Sequence, residues 1–163
     1  YVHADPSANE LATATIMAVE RLRVFGITAK VALLSHSNFG SEDSATSRKM
    51  RQVLELLRVR APELEVEGEM HADAALDATI RERLFPNSRL TGQANMFVFP
   101  NLDAANICFN MVRVLSGGVS LGPIVMGLKK PCYILTNSAT VRRVVNMTAL
   151  AVVEAQIRQR AAG

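Results

Sequence analysis

Three polar segments of the chain, residues 35–41, 101–106 and 136–140, carry residue types that bind anions. Each follows a short apolar run typical of a buried strand, and in open α/β sheets ligands bind beyond the carboxyl ends of the strands. Hydroxyls, carboxamides and backbone N–H groups at the start of a helix hold phosphate and other anions. These three segments are therefore the candidate ligand-binding segments.

Segment 35–41 leaves two interpretations open. It offers Ser35, Ser37 and Asn38 just before a predicted helix, which suits an anion site. It does not match the P-loop pattern GxxxxGK[ST], and the chain contains no GxGxxG sequence. The segment is either a ligand-binding loop or a capped turn.

Segment 136–140 precedes a helix whose first turn carries Arg142 and Arg143. Positive charge at a helix N-terminus opposes the macrodipole, at a cost of about 0.3–1 kcal/mol. This placement points to a bound anion or to acidic groups on another chain. The alternative is an exposed and slightly unfavourable pair of arginines.

Other chemistries have less support. His3, His36 and His71 lack the spacing of metal ligands, so we predict no metal centre. The net charge of +3 is modest and aromatic residues make up only 5%, which is unlike a nucleic-acid-binding surface. A small anionic ligand is the better use of a few arginines.

Length and composition fit one globular domain: 163 residues, 49% of them hydrophobic and 20% charged. No apolar run is long enough to span a membrane, and the N-terminus does not read as a signal peptide. Without a CxxC pair, Cys108 and Cys132 are predicted to be plain buried thiols of a cytoplasmic protein. The lack of an initiating Met predicts a piece of a longer protein.

Strand and helix patterns alternate along the chain, which predicts an α/β domain with a mainly parallel sheet. Asp5 and Pro6 are predicted to begin the first helix, and Gly26 to end it. The predicted helices cover residues 6–25, 44–60, 73–84, 103–115 and a final segment after 138, and the predicted strands cover 31–34, 64–70, 95–99 and 132–135.

Two of these elements carry further expectations. The strand at 64–70 alternates strictly and places Glu65, Glu67 and Glu69 on one face. It is either an edge strand protected by charge or a strand that pairs with a partner subunit. The last helix is apolar on nearly all sides up to Glu154, so it should be buried or packed against another chain, with a frayed tail after 156.

Several motifs in order resemble the phosphate acetyl/butyryl transferase family. Residues 34–37, Leu-Ser-His-Ser, resemble its Leu-Ser-x-Ser strand end. Residues 90–95 and 99–102 resemble its Gly-x-Ala-Asn…Pro-x-Leu segment, and residues 122–127 and 145–150 match as well. The loop at 36–41 and the run at 146–150 look most like the C-terminal extension of large NADP-dependent malic enzymes.

This resemblance covers nearly the whole chain and implies a three-layer αβα sandwich. The family has two α/β subdomains similar to those of the isocitrate and isopropylmalate dehydrogenases, a cleft that holds coenzyme A and phosphate, and a dimeric assembly. The chain would be the C-terminal portion of this module. Its core subdomain would cover residues 28–136, with flanking helices at 1–27 and 137–163.

The chain departs from the family where the chemistry is expected. Active members carry a Ser-Arg pair after the last strand, thought to hold phosphate, and an Asp seven residues after the Ser, thought to act as base toward the coenzyme A thiol. Here those positions are Thr136, Asn137 and Arg143. A positioned base contributes about 10²–10⁴-fold, and Arg143 cannot accept a proton. We expect no catalytic residue in this domain. The acyl-CoA or phosphate contacts implied by the resemblance are Ser35, Ser37, Asn38, Asn101, Asn106, Gly122, Pro123, Asn137, Ser138 and Arg143.

The resemblance favours a regulatory and oligomerisation domain of an NADP-dependent malic enzyme, which converts malate to pyruvate and CO2. Acetyl-CoA is the expected effector, and NADP and a divalent metal are expected only in a malic enzyme domain outside this chain. A homo-oligomer, with a dimer favoured, and no membrane partner are expected. One alternative is an active phosphate acetyltransferase. The other is a purely structural dimerisation module built from the strand at 64–70 and the last helix.

Overall fold

The computed structural model describes residues 3–137 and 139–162, which pack as two compact units that meet in sequence between Phe109 and Asn110. Residues 28–136 were predicted to form the core subdomain of the family fold. This boundary stays a prediction. The helices are α1 (Ala8–Val24), α2 (Ala45–Arg60), α3 (Ala72–Leu76), α4 (Ala78–Leu84), α5 (Leu102–Leu115) and α6 (Val141–Ala162), and the strands are β1 (Lys30–Leu34), β2 (Glu65–Met70), β3 (Met96–Val98), β4 (Ile124–Val125) and β5 (Cys132–Tyr133).

The first unit contains a parallel sheet of three strands in the order β2-β1-β3, which confirms the predicted α/β class. Strand β1 is central: Val31 pairs with Val66 on one side and with Met96 on the other. The four residues from Val31 to Leu34 are all buried. A central strand covered on both faces explains their continuous apolar run.

Helices cover both faces of this sheet, so the first unit has three layers. Val31 and Leu33 of β1 point into a core formed with α1 and α2, which contains Val19, Met50 and Val53. Alternate residues of the same strand contribute to the opposite core, whose buried members are Ala32, Leu34, Met70, Ala74, Ala75, Leu90 and Ala94. Alternation along the strand thus supplies two separate cores.

Helix termini differ from the predicted ones because short polar side chains compete for the cap position. Ser7, and not Asp5, caps α1: its Oγ accepts from the Glu10 N–H at 3.3 Å, and the Glu10 carboxylate accepts from the Ser7 N–H at 2.8 Å. Asp5 instead pairs with Lys49. The predicted helix over 73–84 is two helices, since Asp77 caps α4 by accepting from the Thr79 N–H at 2.8 Å.

Strand β2 was predicted correctly as a strand, but the expected exposure of its glutamates is wrong. Glu67 and Glu69 are each only 1% exposed. A bulge leaves Glu69 outside the regular register, because Leu33 pairs with Gly68 while Leu34 pairs with Met70. Glu67 lies before the bulge, pairs in register with Ala32 and is buried as well. All residues from Val66 to Met70 are buried, so alternation along this strand does not mark a solvent-facing side.

Strand β3 and the second unit also correct the predictions. β3 is an edge of the described sheet, so Phe97 is exposed rather than buried. β5 pairs antiparallel with β4 in a separate two-stranded sheet. The cysteines are not buried: Cys108 is half-buried and Cys132 is exposed, because β5 is an edge strand and α5 is half open to solvent.

Helix α6 continues to Ala162, past the tail that was predicted to fray. Met147 and Glu154 are buried, yet Val141 and Val145 are 81% and 59% exposed. Burial of the whole helix within this chain is therefore wrong, since the second unit covers only one side of it. Packing against another chain stays a prediction. Among the described residues, no helix is long and apolar enough to cross a membrane.

Candidate ligand-binding segments

Loop 35–41 lies where β1 and β2 end, at the carboxyl edge of the parallel sheet. The Ser35 N–H donates to the Met70 carbonyl at 2.9 Å, and the Phe39 N–H donates to the Glu69 carbonyl at 2.8 Å. Two backbone hydrogen bonds thus hold the loop against the end of β2. The segment follows the end of β1, which confirms its predicted position at a strand end.

Ser37 is the fully buried residue of this loop. Its Oγ donates to Glu69 Oε1 at 2.7 Å and accepts from the Glu42 N–H at 3.1 Å. The Ser37 N–H in turn donates to Ser35 Oγ at 3.2 Å. The hydroxyl of Ser37 is therefore used inside the protein, whereas half-buried Ser35 lies nearer to solvent.

Glu69 is a further residue beside this loop that was not among the predicted ligand-binding residues. Its Oε1 accepts from three donors: Ser37 Oγ, the Gly40 N–H at 2.9 Å and Arg51 Nη1 at 3.0 Å. Taking a carboxylate out of water is costly unless charged or N–H donors replace the water. The sequence carries no periodic signal for this arrangement, because the partners of Glu69 come from the loop and from α2.

Asn38 and Phe39 fix the tip of the loop. Asn38 Oδ1 accepts from the His71 N–H at 2.7 Å, which links the loop to the start of α3. Phe39 has a φ of +48° and stacks on Phe85, with ring centroids 4.6 Å apart. The geometry fits a well-capped turn, and a ligand role for Asn38 stays a prediction.

The second candidate segment follows β3, which lies beside β1 in the sheet. Asn101 caps α5, since its Oδ1 accepts from the Ala104 N–H at 2.9 Å. Asn106 lies one turn further along the helix and is exposed. Parallel order places Asn101 at the same carboxyl edge as loop 35–41.

In the second unit, the structure brings Arg143 and Gly122 together. Arg143 Nη2 donates to the Gly122 carbonyl oxygen, and the Gly122 N–H donates to the Met147 sulfur at 3.2 Å. Gly122 is buried with a φ of +132°, which an L-amino acid with a side chain rarely adopts. Pro123 and Asn137 are exposed, and Ser138 lies outside the described residues.

Residues 110–163 contain one carboxylate side chain, that of Glu154. It is only 3% exposed, accepts from the Tyr133 hydroxyl and forms an ion pair with Arg158 Nη2 at 2.7 Å. Arg158 also donates to the carbonyls of Leu128 and Lys129 at 2.7 and 2.9 Å. The Glu154 carboxylate therefore links α6 to Tyr133 of β5, and Arg158 links α6 to the segment after β4.

The motif at 90–95 is held by two charged residues that sequence reasoning missed. Arg81 is fully buried and donates to the carbonyls of Ala74 and Leu90, both at 3.0 Å, and to that of Gly92 at 2.5 Å. Glu65 accepts from the Thr91 hydroxyl at 2.7 Å. Burial opposes ionisation of Glu65, but the hydrogen bonds from Thr91 and the charge of Lys30 outweigh it and lower its pKa below the ordinary 4.5.

Metal chemistry has no visible support in the parts of the chain that are described. Over 3–137 and 139–162 there is no group of three or more His, Cys, Asp or Glu side chains that could hold an ion. His71 Nε2 lies 2.7 Å from the His36 carbonyl oxygen, so it is part of the loop contacts.

A parallel sheet with helices on both faces places the first unit in the α/β class of folds. The chain belongs to the phosphate acetyl/butaryl transferase family, whose model matches residues 1–152. The structure is similar to that of a phosphotransacetylase from Streptococcus pyogenes, with a TM-score of 0.89, 32% identity and coverage of 95% of this chain and 47% of that one. The fold is therefore that of the phosphotransacetylases.

Two kinds of relative share this domain. The chain is 59% identical over 157 residues to the NADP-dependent malic enzyme of Escherichia coli, which covers 96% of the chain and 21% of that enzyme. It is 43% identical over 146 residues to the phosphate acetyltransferase of Paracoccus denitrificans, covering 89% of the chain and 46% of that enzyme. The chain thus spans about a fifth of the length of the malic enzyme relatives.

Proposed function

We propose that this chain is the regulatory and oligomerisation domain of an NADP-dependent malic enzyme, which converts malate to pyruvate and CO2. The domain binds acetyl-CoA without transferring its acetyl group. The identity to the Escherichia coli malic enzyme supports the choice of parent protein. NADP and a divalent metal would bind in a part of that parent outside this chain.

The observation that carries the loss of chemistry is the contact between Arg143 and Gly122. Where active members of the family are thought to carry a base, this chain has a guanidinium that donates to a backbone carbonyl. Thiolate attack on an acyl group gains from a positioned base. The one carboxylate side chain of residues 110–163, that of Glu154, is buried and paired with Arg158.

Acetyl-CoA is favoured as the ligand because the candidate segments suit anionic groups. Loop 35–41 and the capped start of α5 lie at one edge of the sheet in the first unit. In the second unit, taken by itself, Arg142 is an exposed cation. The family provides the acyl-CoA and phosphate chemistry. Binding alters malate turnover only if acetyl-CoA has different affinities for two states of the enzyme.

Isothermal calorimetry with acetyl-CoA, combined with malate turnover by the full-length protein, tests this function. We expect saturable binding and a change in malate turnover over the same concentration range. Coenzyme A without the acetyl group is the matched control ligand. If the full-length protein neither binds acetyl-CoA nor changes its turnover, the proposal is wrong.

An active phosphate acetyltransferase is the second candidate, favoured by the identity to the Paracoccus denitrificans enzyme. Formation of acetyl phosphate from acetyl-CoA and phosphate distinguishes it from the first. We expect none above background. Turnover that disappears in Ser35→Ala would reverse the order of the two candidates.

We also propose that the protein is cytoplasmic and that it self-associates. Large apolar side chains of α5 are exposed, among them Met111, Val114 and Leu115, at 58%, 74% and 79%. Exposed apolar patches of this kind mark protein–protein contacts. We expect a homo-oligomer with a dimer as its basic unit, and neither a nucleic acid nor a membrane as partner. Light scattering of the full-length protein would measure the assembly.

A further inference from the structure

Loop 35–41 depends on one buried carboxylate for its conformation. Glu69 Oε1 accepts from the Ser37 hydroxyl at 2.7 Å, within the loop, and from the Gly40 N–H at 2.9 Å, near its tip. Arg51 of α2 supplies the third donor and the balancing charge. A single oxygen atom therefore links the loop, the last residues of β2 and a neighbouring helix.

The other carboxylate oxygen makes this link sensitive to the loss of a hydrogen-bond donor. Among the described residues Glu69 Oε2 is buried and has no hydrogen-bond partner. Oε1 thus has three donors, while Oε2 has no donor that could compensate for the loss of one of them. Hydrogen bonds to a charged group contribute more than neutral ones, so losing the charge weakens all three contacts at once.

We propose that Glu69 is the positioning residue of loop 35–41 and through it sets the affinity for the anionic part of the ligand. The hydroxyl of the half-buried Ser35 would be the group that faces the ligand, because most backbone N–H groups of the loop donate within the protein. Glu69 would act only through the loop that carries Ser35. This inference rests on the proposed acyl-CoA binding for its effect on affinity. Its effect on the loop conformation does not depend on a ligand.

The strand offers a matched control in Glu67. It is also 1% exposed, and it also lies close to an arginine of α2, since Arg58 Nη2 is 3.5 Å from its Oε1. Its other oxygen accepts from the Arg89 N–H at 2.9 Å, in the turn after α4 and not in the loop. Glu67→Gln therefore removes a buried charge from the same strand without touching loop 35–41.

The test compares Glu69→Gln with Glu67→Gln in the full-length protein. Amide hydrogen exchange of the segment containing Gly40 reports on the loop, and calorimetry reports the dissociation constant for acetyl-CoA. In Glu69→Gln we expect exchange to be faster and affinity weaker, each by about ten- to hundredfold. In Glu67→Gln we expect the segment around Arg89 to exchange faster, with affinity within about threefold of the original.

Substitutions of Arg51 provide a second route if Glu69→Gln does not fold. Arg51→Lys keeps a charged donor toward Glu69 and should restore most of the affinity that Arg51→Gln loses. Equal exchange at Gly40 in Glu69→Gln and the original would overturn the positioning role. Equal losses of affinity in the two glutamine variants of β2 would overturn the link to the ligand.

Failure of the proposed function gives a different result. If the unaltered protein does not bind acetyl-CoA, the affinity half of the inference falls with it. The exchange comparison between the two variants still decides whether Glu69 holds the loop.

Discussion

The guanidinium of Arg143 donates a hydrogen bond to the carbonyl oxygen of Gly122, and the two residues lie on α6 and just before β4. A cation fixed to the backbone at this position cannot serve as a base. The contact joins α6 to the segment before β4 within the second unit.

Restoring the family's residues should restore some chemistry. We expect the triple variant Thr136→Ser, Asn137→Arg, Arg143→Asp to form acetyl phosphate at least about tenfold above the original protein, because a positioned base contributes about 10²–10⁴-fold. Arg143→Asp alone should stay at background, since Asn137 remains neutral. A coupled assay for acetyl phosphate measures both. An inactive triple variant would mean that other groups were lost as well.

Removing Arg81 should destabilise the first unit strongly. Arg81→Met keeps the apolar part of the side chain but leaves the carbonyls of Ala74, Leu90 and Gly92 without their donor. We expect a loss of about 2–5 kcal/mol in the free energy of unfolding, measured by urea denaturation. Arg83→Met is the matched control, because Arg83 is an exposed residue of the same helix. It should change stability by less than about 0.5 kcal/mol.

Gly68 should not tolerate a side chain. A Cβ at this position would lie 2.6 Å from the Leu33 carbonyl oxygen and 2.7 Å from Leu33 Cβ, and the φ is +148°. Gly68→Ala should therefore lower the free energy of unfolding by about 2–5 kcal/mol. At Gly26 the φ is +71° but no atom lies within 4 Å of an added Cβ, so Gly26→Ala should cost about 1–2 kcal/mol. Similar losses in both variants would argue against the close approach at Leu33.

Stability should fall in acid partly through Glu65. Its pKa is lower in the folded protein than the ordinary 4.5, so it contributes stability above that value. This contribution is lost as the pH falls through the folded pKa. Glu65→Gln should be less stable than the original at neutral pH, and the difference should shrink below about pH 4. Thermal unfolding at a series of pH values would measure it, and a difference independent of pH would contradict the assignment.

The sequence by itself determined the type and order of most elements. Val31 to Leu34 form one apolar run because β1 is buried on both faces, and the periodicity of α2 placed Met50, Val53 and Leu57 in the core. Local sequence patterns reflect the local backbone conformation, so these assignments were confirmed. The cap of α1 failed by two residues, since Asp5 and Ser7 are both good caps and only their surroundings separate them.

Only the tertiary structure decided the roles of the charged residues. Both faces of β2 are buried from Val66 to Met70, so Glu67 and Glu69 lie inside the protein although alternation is typical of a half-exposed strand. The partners of Glu69, Arg81 and Arg143 lie 7 to 32 positions away in sequence, and their types are common on exposed surfaces. Whether such a side chain is solvated or paired depends on which segments the fold brings together, and neither periodicity nor composition records that.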